Sequence, residues 1–134
     1  MAAERTYIML KPDCIRRGLM GEVISRIEKK GYKITDAKMM RLSEGILREH
    51  YAHLVDKPFF PDIVAFMTSG PVLGMIVEGE NAVAGMRALM GATKFEDMSA
   101  GTIRGDFAFN TSENIIHGSD SKETAETEIK RFFG

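Results

Sequence analysis

The 134-residue chain has one cysteine, Cys14, and that scarcity excludes a good deal. No intrachain disulfide can form, and there is no cysteine-based zinc site. A lone thiol suits a reducing, intracellular setting, so a cytoplasmic location is expected. No apolar run approaches the roughly 18 residues that a membrane-spanning helix needs, so no membrane partner is expected. The start, Met1-Ala2-Ala3-Glu4-Arg5, leads into no long apolar core and does not read as a signal peptide. Charge of one sign is also missing: 18 Lys and Arg against 19 Asp and Glu leave a formal net charge of −1. That implies no broad basic field for nucleic acid or anionic lipid, while leaving room for a local basic cleft. Internal repeats, low-complexity segments and linkers are absent. What remains is a globular composition, 44% hydrophobic and 28% charged, of a length that suits one domain over 1–134.

The stretch Asn114-Ile115-Ile116-His117-Gly118-Ser119-Asp120 concentrates the chemistry. An apolar run ends at a histidine, a glycine follows, and two helix-starting residues come next. This reads as a strand end, a tight turn and a helix N-terminus. Gly118 would remove bulk beside the ring and let a large anion approach. An ordinary imidazole, titrating near 6.5, is largely neutral at pH 7 and can attack a phosphorus. A lone strand-end histidine is more often structural, so the rest of the chain decides.

Thr6 to Leu10 reads as a strand closed by Lys11-Pro12-Asp13, with Lys11 where α/β proteins place ligand contacts. Met20, Val23, Ile24 and Ile27 follow helical spacing, and Gly31 suits the residue after the helix. Tyr32 to Arg41 reads as a strand with Tyr32, Ile34 and Met40 toward the core. Ser43 can cap a helix bearing Ile46, Leu47, Tyr51 and Leu54 on one side. His50 and His53 read as surface residues. Pro61 suits the first turn of the next helix, whose stripe is Ile63, Phe66 and Met67. Phe59 and Phe60, between prolines, cannot both point inward easily, so one is a candidate stacking platform. Val72 to Val77 is apolar enough for a central strand buried on both faces.

Asn81 can cap the following helix. Its stripe of Val83, Met86 and Met90 also includes Arg87, a cation that either snorkels past the core edge or reaches for a phosphate. Residues 91–113 show no sustained period and read as a long loop, the kind that is usually functional or disordered. Within it Arg104, among small residues, could lie along a phosphate with little steric hindrance, and Thr93 stands near its start. Asp120 and Glu123 resemble a capping box for the last helix. Its stripe is Ala125, Ile129, Phe132 and Phe133, and Glu128 lies beside it. A carboxylate at a core boundary needs a partner, and an imidazole is a plausible one. With the helix pair after Ser43 counted as an insert, the order is βαββαβ. That is an α+β, ferredoxin-like sandwich with an antiparallel sheet, an inserted helix hairpin and a long loop before the last strand.

The motifs Lys11-Pro12-Asp13, His50-Tyr51, Pro58-Phe59-Phe60, Ser69-Gly70-Pro71, Gly101-Thr102-Ile103-Arg104-Gly105-Asp106-Phe107 and Asn114 to Asp120 resemble the nucleoside diphosphate kinase family, in order and at its spacings. The resemblance covers essentially the whole chain. It implies transfer of the γ-phosphoryl of a nucleoside triphosphate to a histidine and then to a nucleoside diphosphate, with Mg²⁺ held mainly by the nucleotide phosphates rather than by the protein. By resemblance, His117 is the phosphorylated histidine, Glu128 supports its ring, and Ser119 places a hydroxyl beside it. Phe59 is the platform for the base, with Ile63 beneath it. Lys11 and Asn114 contact the ribose hydroxyls, Tyr51 stands near the histidine, and Arg87, Thr93 and Arg104 hold phosphates. The family also implies a homo-oligomer, a hexamer favoured over a tetramer. Cys14, Leu54, Lys94-Phe95 and Ala100 depart from the family's usual residues, and the chain stops short of a tail that many members carry. A non-catalytic nucleotide-binding domain of the same fold would lack His117 or Arg104. An RNA-binding sandwich would show aromatics on its strands and a basic face.

Overall fold

Two apolar strands organise the chain in a computed structural model that describes residues 3–134. Met1 and Ala2, where the stretch without signal-peptide character begins, lie outside the described residues. Strand β1 (Glu4–Leu10) pairs antiparallel with β3 (Val72–Gly79) on one side and with β4 (Ile116–Gly118) on the other. Strand β2 (Lys33–Met40) adds to the far side of β3, giving a four-stranded antiparallel sheet of order β2-β3-β1-β4. This is the ferredoxin-like arrangement expected from the sequence.

Alternation along the strands divides the core into two layers. Ile8, Leu10, Met75 and Val77 face one way, against Val23 and Ile27 of α2 (Met20–Lys30) and Met86 and Met90 of α5 (Ala82–Met90). Tyr7, Met9, Val72 and Ile76 face the other way. They pack with Leu47 of α3 (Glu44–His50), Met67 of α4 (Phe60–Met67), and Ile129 and Phe132 of α7 (Lys122–Phe133). β3 is therefore the doubly covered strand its run of apolar residues predicts.

Several local signals act as expected. Gly31 follows α2 at φ 109°, a left-handed conformation that side-chain-bearing residues avoid. The Ser43 hydroxyl accepts from the Ile46 amide at the start of α3. Other signals are overruled. Lys11-Pro12-Asp13 continues into a short helix, α1 (Pro12–Arg16), rather than only a turn. Asn81 makes no side-chain cap: it sits at φ 54°, and Glu4 of β1 accepts from the Val83 amide instead. The cap of α7 is Ser121, accepting from the Thr124 amide, one residue after the Asp120 of the expected capping box. The loop of 91–113 contains a 3₁₀ turn, Phe95–Asp97, and the short helix α6 (Ile103–Phe107), started by the Thr102 hydroxyl. Its buried Ile103 joins the α2 and α5 layer, an anchor too brief to create a visible period.

Candidate active site

Register places the histidine. His117 lies opposite Met9 in the β1–β4 pair, so its side chain emerges on the face covered by α3, α4 and α7. Its neighbours Ile116 and Gly118 point to the opposite face. A Cβ on Gly118 would lie 2.5 Å from the Met90 sulfur and 3.1 Å from Ile8 Cδ1. A side chain here would have to displace the end of Met90, so the glycine keeps the packing under α5 close. The space beside the ring expected from Gly118 is on the wrong side of the strand.

Just before the strand the backbone is strained. Ile115 adopts φ 77°, and the Ile116 amide donates to Asn114 O at 2.8 Å, closing a three-residue turn. For a β-branched residue that conformation is an outlier, which the surroundings must hold in place. They do so from both sides. The buried Asp13 carboxylate accepts from the Ile115 amide at 3.1 Å, and the Ile115 carbonyl accepts from the Lys11 amide at 2.8 Å. Arg104 donates to the carbonyls of Asn114 and Ile116, and also to that of Gly91 and to the Thr93 hydroxyl. Arg104 is thus buried, at 4% exposure, and stitched to backbone. Its guanidinium is enclosed by backbone carbonyls, an anchoring role that the sequence reading did not include.

The turn delivers Asn114 to Lys11. The lysine Nζ donates to Asn114 Oδ1 at 2.7 Å, and Asn114 Nδ2 donates to Thr111 O. Burial, then the Arg104 charge, pull the lysine down to a pKa of about 8, against the opposing pull of Asp13. Lys11 and Asn114 line a hollow of about 400 Å³ with Tyr51, Phe59, Ile63 and Thr93. The two phenylalanines divide as expected: Phe59 is 47% exposed at the mouth, while Phe60 is 4% exposed in the packing.

A second hollow, of about 630 Å³, contains His117, Arg87, Tyr51 and Glu128. Tyr51 borders both. The His117 ring meets α7 through Nε2, 2.9 Å from Glu128 Oε1, and the same oxygen accepts from the Ser119 hydroxyl at 2.6 Å. Burial alone would push this carboxyl up. The hydrogen bond and charge of His117, and the hydroxyl of Ser119, outweigh it and hold Glu128 below the usual range. An ionised carboxylate can only accept, so Nε2 carries the hydrogen and Nδ1 keeps its lone pair. Arg87, exposed on α5, donates to Gly118 O at 3.2 Å and leaves guanidinium surface toward the hollow. Burial pushes the Tyr51 hydroxyl up to about 12, so it remains a donor at neutral pH.

The structure thus brings together His117, Ser119, Glu128, Arg87 and Tyr51 at one end and Lys11, Asn114, Phe59, Ile63 and Thr93 at the other. Two residues of the site were missed from sequence. His50, taken for a surface residue, is 8% exposed and lies edge-on to His117, with ring centroids 4.8 Å apart. Arg131 donates to its Nδ1 at 2.9 Å. Position 50 follows the buried Leu47 by three residues, a helical spacing that could have flagged it.

His50, His117 and Glu128 place potential ligand atoms within 4.8 Å of one another. Part of that set is already engaged: His50 Nδ1 accepts from Arg131, and Glu128 Oε1 serves His117 and Ser119. Two imidazoles and one engaged carboxylate also do not make the oxygen cage that Mg²⁺ prefers.

Comparison with known proteins agrees with this geometry. The family described as Nucleoside diphosphate kinase matches over residues 4–134. A nucleoside diphosphate kinase of Symbiobacterium thermophilum is 53% identical over 131 residues, spanning 98% of this chain and 87% of that protein. One from Moorella thermoacetica is 51% identical, covering 99% and 96% respectively. Among solved structures, that of a halophilic nucleoside diphosphate kinase from Halobacterium salinarum in complex with CDP superposes with a TM-score of 0.94 at 48% identity, covering 98% of this chain and 88% of that one. With its fold, its histidine hollow and these relatives in agreement, the chain belongs to the nucleoside diphosphate kinase family.

Proposed function

We propose that this protein is a nucleoside diphosphate kinase that works by a ping-pong mechanism through a phosphohistidine at His117. The observation that carries the reading is the His117–Glu128 contact at 2.9 Å through Nε2, which leaves Nδ1 as the nucleophile. In the first half-reaction Nδ1 attacks the γ-phosphorus. The Nδ1–P bond forms, the bond to the β–γ bridging oxygen breaks, and nucleoside diphosphate leaves with that electron pair. The imidazole becomes cationic, and Glu128 is placed to offset the charge. In the second half-reaction a terminal oxygen of another nucleoside diphosphate attacks the same phosphorus, and Nδ1 recovers its lone pair.

The other residues position charge, which is most of what phosphoryl transfer asks of a protein. Arg87 sits at the rim of the histidine hollow to receive phosphate oxygens. Arg104 and Thr93, hydrogen-bonded to each other, stand behind the same phosphates. Lys11 and Asn114 take the ribose hydroxyls, and Lys11 also adds positive charge near the transferred group. Tyr51 donates its hydroxyl between the two hollows, Ser119 fixes Glu128, and the base stacks on Phe59 with Ile63 beneath it. A π-face reads little of base identity, so broad specificity follows. The donor set supports Mg²⁺ entering as part of the nucleotide complex, carried by the phosphates. No helix of the described residues is long and apolar enough to cross a membrane, and the lone buried cysteine suits a cytoplasmic setting. A homo-oligomer is the proposed assembly, a hexamer before a tetramer.

The test is incubation with γ-labelled ATP and Mg²⁺, followed by acid and base treatment of the protein. The expected product is a label on His117 that is lost in acid, survives base, and is discharged by any nucleoside diphosphate. No labelled protein, or a label on another residue, rejects the mechanism.

A further inference from the structure

We propose that Arg131 and His50 form a positioning pair that reserves the Glu128 carboxylate for His117. The inference rests on the reading of His117 as the phosphoryl carrier.

The His50 side chain is 1% exposed, against 21% for His117. Three rings wall it in at steep angles: His117 at 4.8 Å, Tyr51 at 4.7 Å and Phe132 at 5.2 Å between centroids. The plane of the ring is therefore set by packing, and the proton it carries is the remaining freedom. Nδ1 faces α7, where it meets two groups of opposite demand. Arg131 Nη1 lies at 2.9 Å and Glu128 Oε2 at 3.7 Å. A guanidinium only donates, so it requires a bare lone pair on Nδ1 and puts the ring proton on Nε2. Glu128 and Arg131 are three residues apart on one face of α7, and Glu49 of α3 holds the guanidinium in place, accepting from its Nε at 3.3 Å.

Without the guanidinium, the Nδ1 lone pair would confront a carboxylate oxygen at 3.7 Å. The ring relieves that repulsion by moving its proton to Nδ1 and donating to Oε2. Oε2 has no hydrogen bond of its own among the described residues, while Oε1 already serves His117 and Ser119. Glu128 would then be divided between two imidazoles and drawn away from the one that attacks. The charged and titratable groups facing His50 are Glu128 and Arg131 from α7, His117 from β4, Lys11 from the end of β1 and the adjoining Tyr51. Burial, with His117 next, brings His50 down to about 3, so the ring is neutral throughout the working range and its tautomer is the variable.

The experiment reads that tautomer. Two-bond ¹H–¹⁵N spectra of uniformly labelled protein, without nucleotide, are recorded for the wild type and for Arg131→Met. The wild type is expected to show His50 protonated at Nε2, and the variant to show it at Nδ1. Rapid-quench measurement of phosphoenzyme formation at saturating ATP should show Arg131→Met slower by about tenfold, the cost of a mispositioned nucleophile, with half-saturation unchanged. Arg131→Lys, which keeps a donor, should restore most of the rate. In a His50→Phe background, replacing Arg131 should cost little more. Wild-type His50 protonated at Nδ1 overturns the proposal without any variant. An unchanged tautomer in Arg131→Met overturns it too, as does an equal rate loss in the His50→Phe background. If wild-type protein forms no phosphohistidine, the functional reading fails, while the tautomer result still stands or falls by itself.

Discussion

The two ends of the cleft are built by opposite means. At the floor, the key polar groups are tied by hydrogen bonds: Glu128 serves His117 and Ser119, and Arg104 ties carbonyls on either side of the strained Ile115. At the mouth, Phe59 is half in solvent, and Thr93, Thr111 and Ser112 sit on exposed loop backbone. The floor must hold atoms at fractions of an ångström while charge develops, so it uses preorganised bonds in a water-poor setting. The mouth needs only to accept a flat base and release it, so a π-face on a short helix is enough. Damage at the floor should therefore appear in turnover, and damage at the mouth in affinity.

The sharpest break is at the nucleophile. His117→Ala should lose on the order of 10⁴-fold or more in turnover, because removing a covalent carrier disables the whole unit. Mass spectrometry after ATP should find no phosphohistidine, and thermal melting should fall modestly, since buried Glu128 loses its imidazole partner and keeps the Ser119 hydroxyl. Substantial turnover in this variant would reject the role of His117.

Arg104 is the next test, and the structure changes what to expect of it. Its loss should lower turnover by about 10² to 10³, the usual range for one missing charge-stabilising donor. It should also destabilise the fold, because carbonyls of Gly91, Asn114 and Ile116 lose a donor. At about 1–3 kcal/mol for a buried group left unpaired, and roughly 4 °C per kcal/mol in a domain of this size, melting should fall by several degrees. Calorimetry beside kinetics separates the two effects. Normal melting with low turnover would make Arg104 a ligand alone, and the reverse would make it purely architectural.

Phe59→Ala should do the opposite. Removing a stacking face worth about 1–3 kcal/mol per base should raise KM roughly tenfold or more for every base alike. Turnover at saturation and melting should stay near wild type, as the ring is 47% exposed. A selective loss for one base would mean that the mouth reads more than a π-face.

The floor was partly legible in the sequence. Glu128 stood beside an apolar stripe and called for an imidazole partner, and it has one. The split between Phe59 and Phe60 followed from their place between prolines. What escaped depends on contacts distant in sequence. Arg131 lies 81 residues beyond His50, and no local pattern links them. The burial of Arg104 was not legible because the carbonyls that enclose it come from two segments, Gly91 and Asn114 to Ile116, that no local pattern links to it. Gly118 was misread because strand alternation, set by the pairing of His117 with Met9, turns its Cα toward Met90 rather than toward the ring. The cap of the last helix was misplaced by one residue for a milder reason: Ser121 and Asp120 are both good caps, and sequence alone does not choose between them.

The smallest effect lies where the floor meets the mouth, at Lys11. Its pKa of about 8 is set first by burial and then by Arg104, with Asp13 pulling the other way. A lysine that titrates near 8 is charged at pH 7 and half neutral at pH 8, so kcat/KM, which reports the free enzyme, should fall by about half there and further above it. A bound phosphate favours the charged form, so the limb in kcat should lie at higher pH. Stability should run in the opposite direction. The unfolded lysine keeps its proton to about 10.5 while the folded one releases it near 8, so between those values the unfolded state binds more protons and this group adds stability as pH rises. Cys14, pushed up to about 12 by burial, works against that trend, so the wild type alone is not the right measure. The measure is the difference from Lys11→Met. The wild type should gain on the variant from pH 8 to 10.5 in urea unfolding, while its advantage in kcat/KM shrinks over the same interval. A kcat/KM profile flat to pH 9.5 would place the Lys11 charge outside the working chemistry of the site.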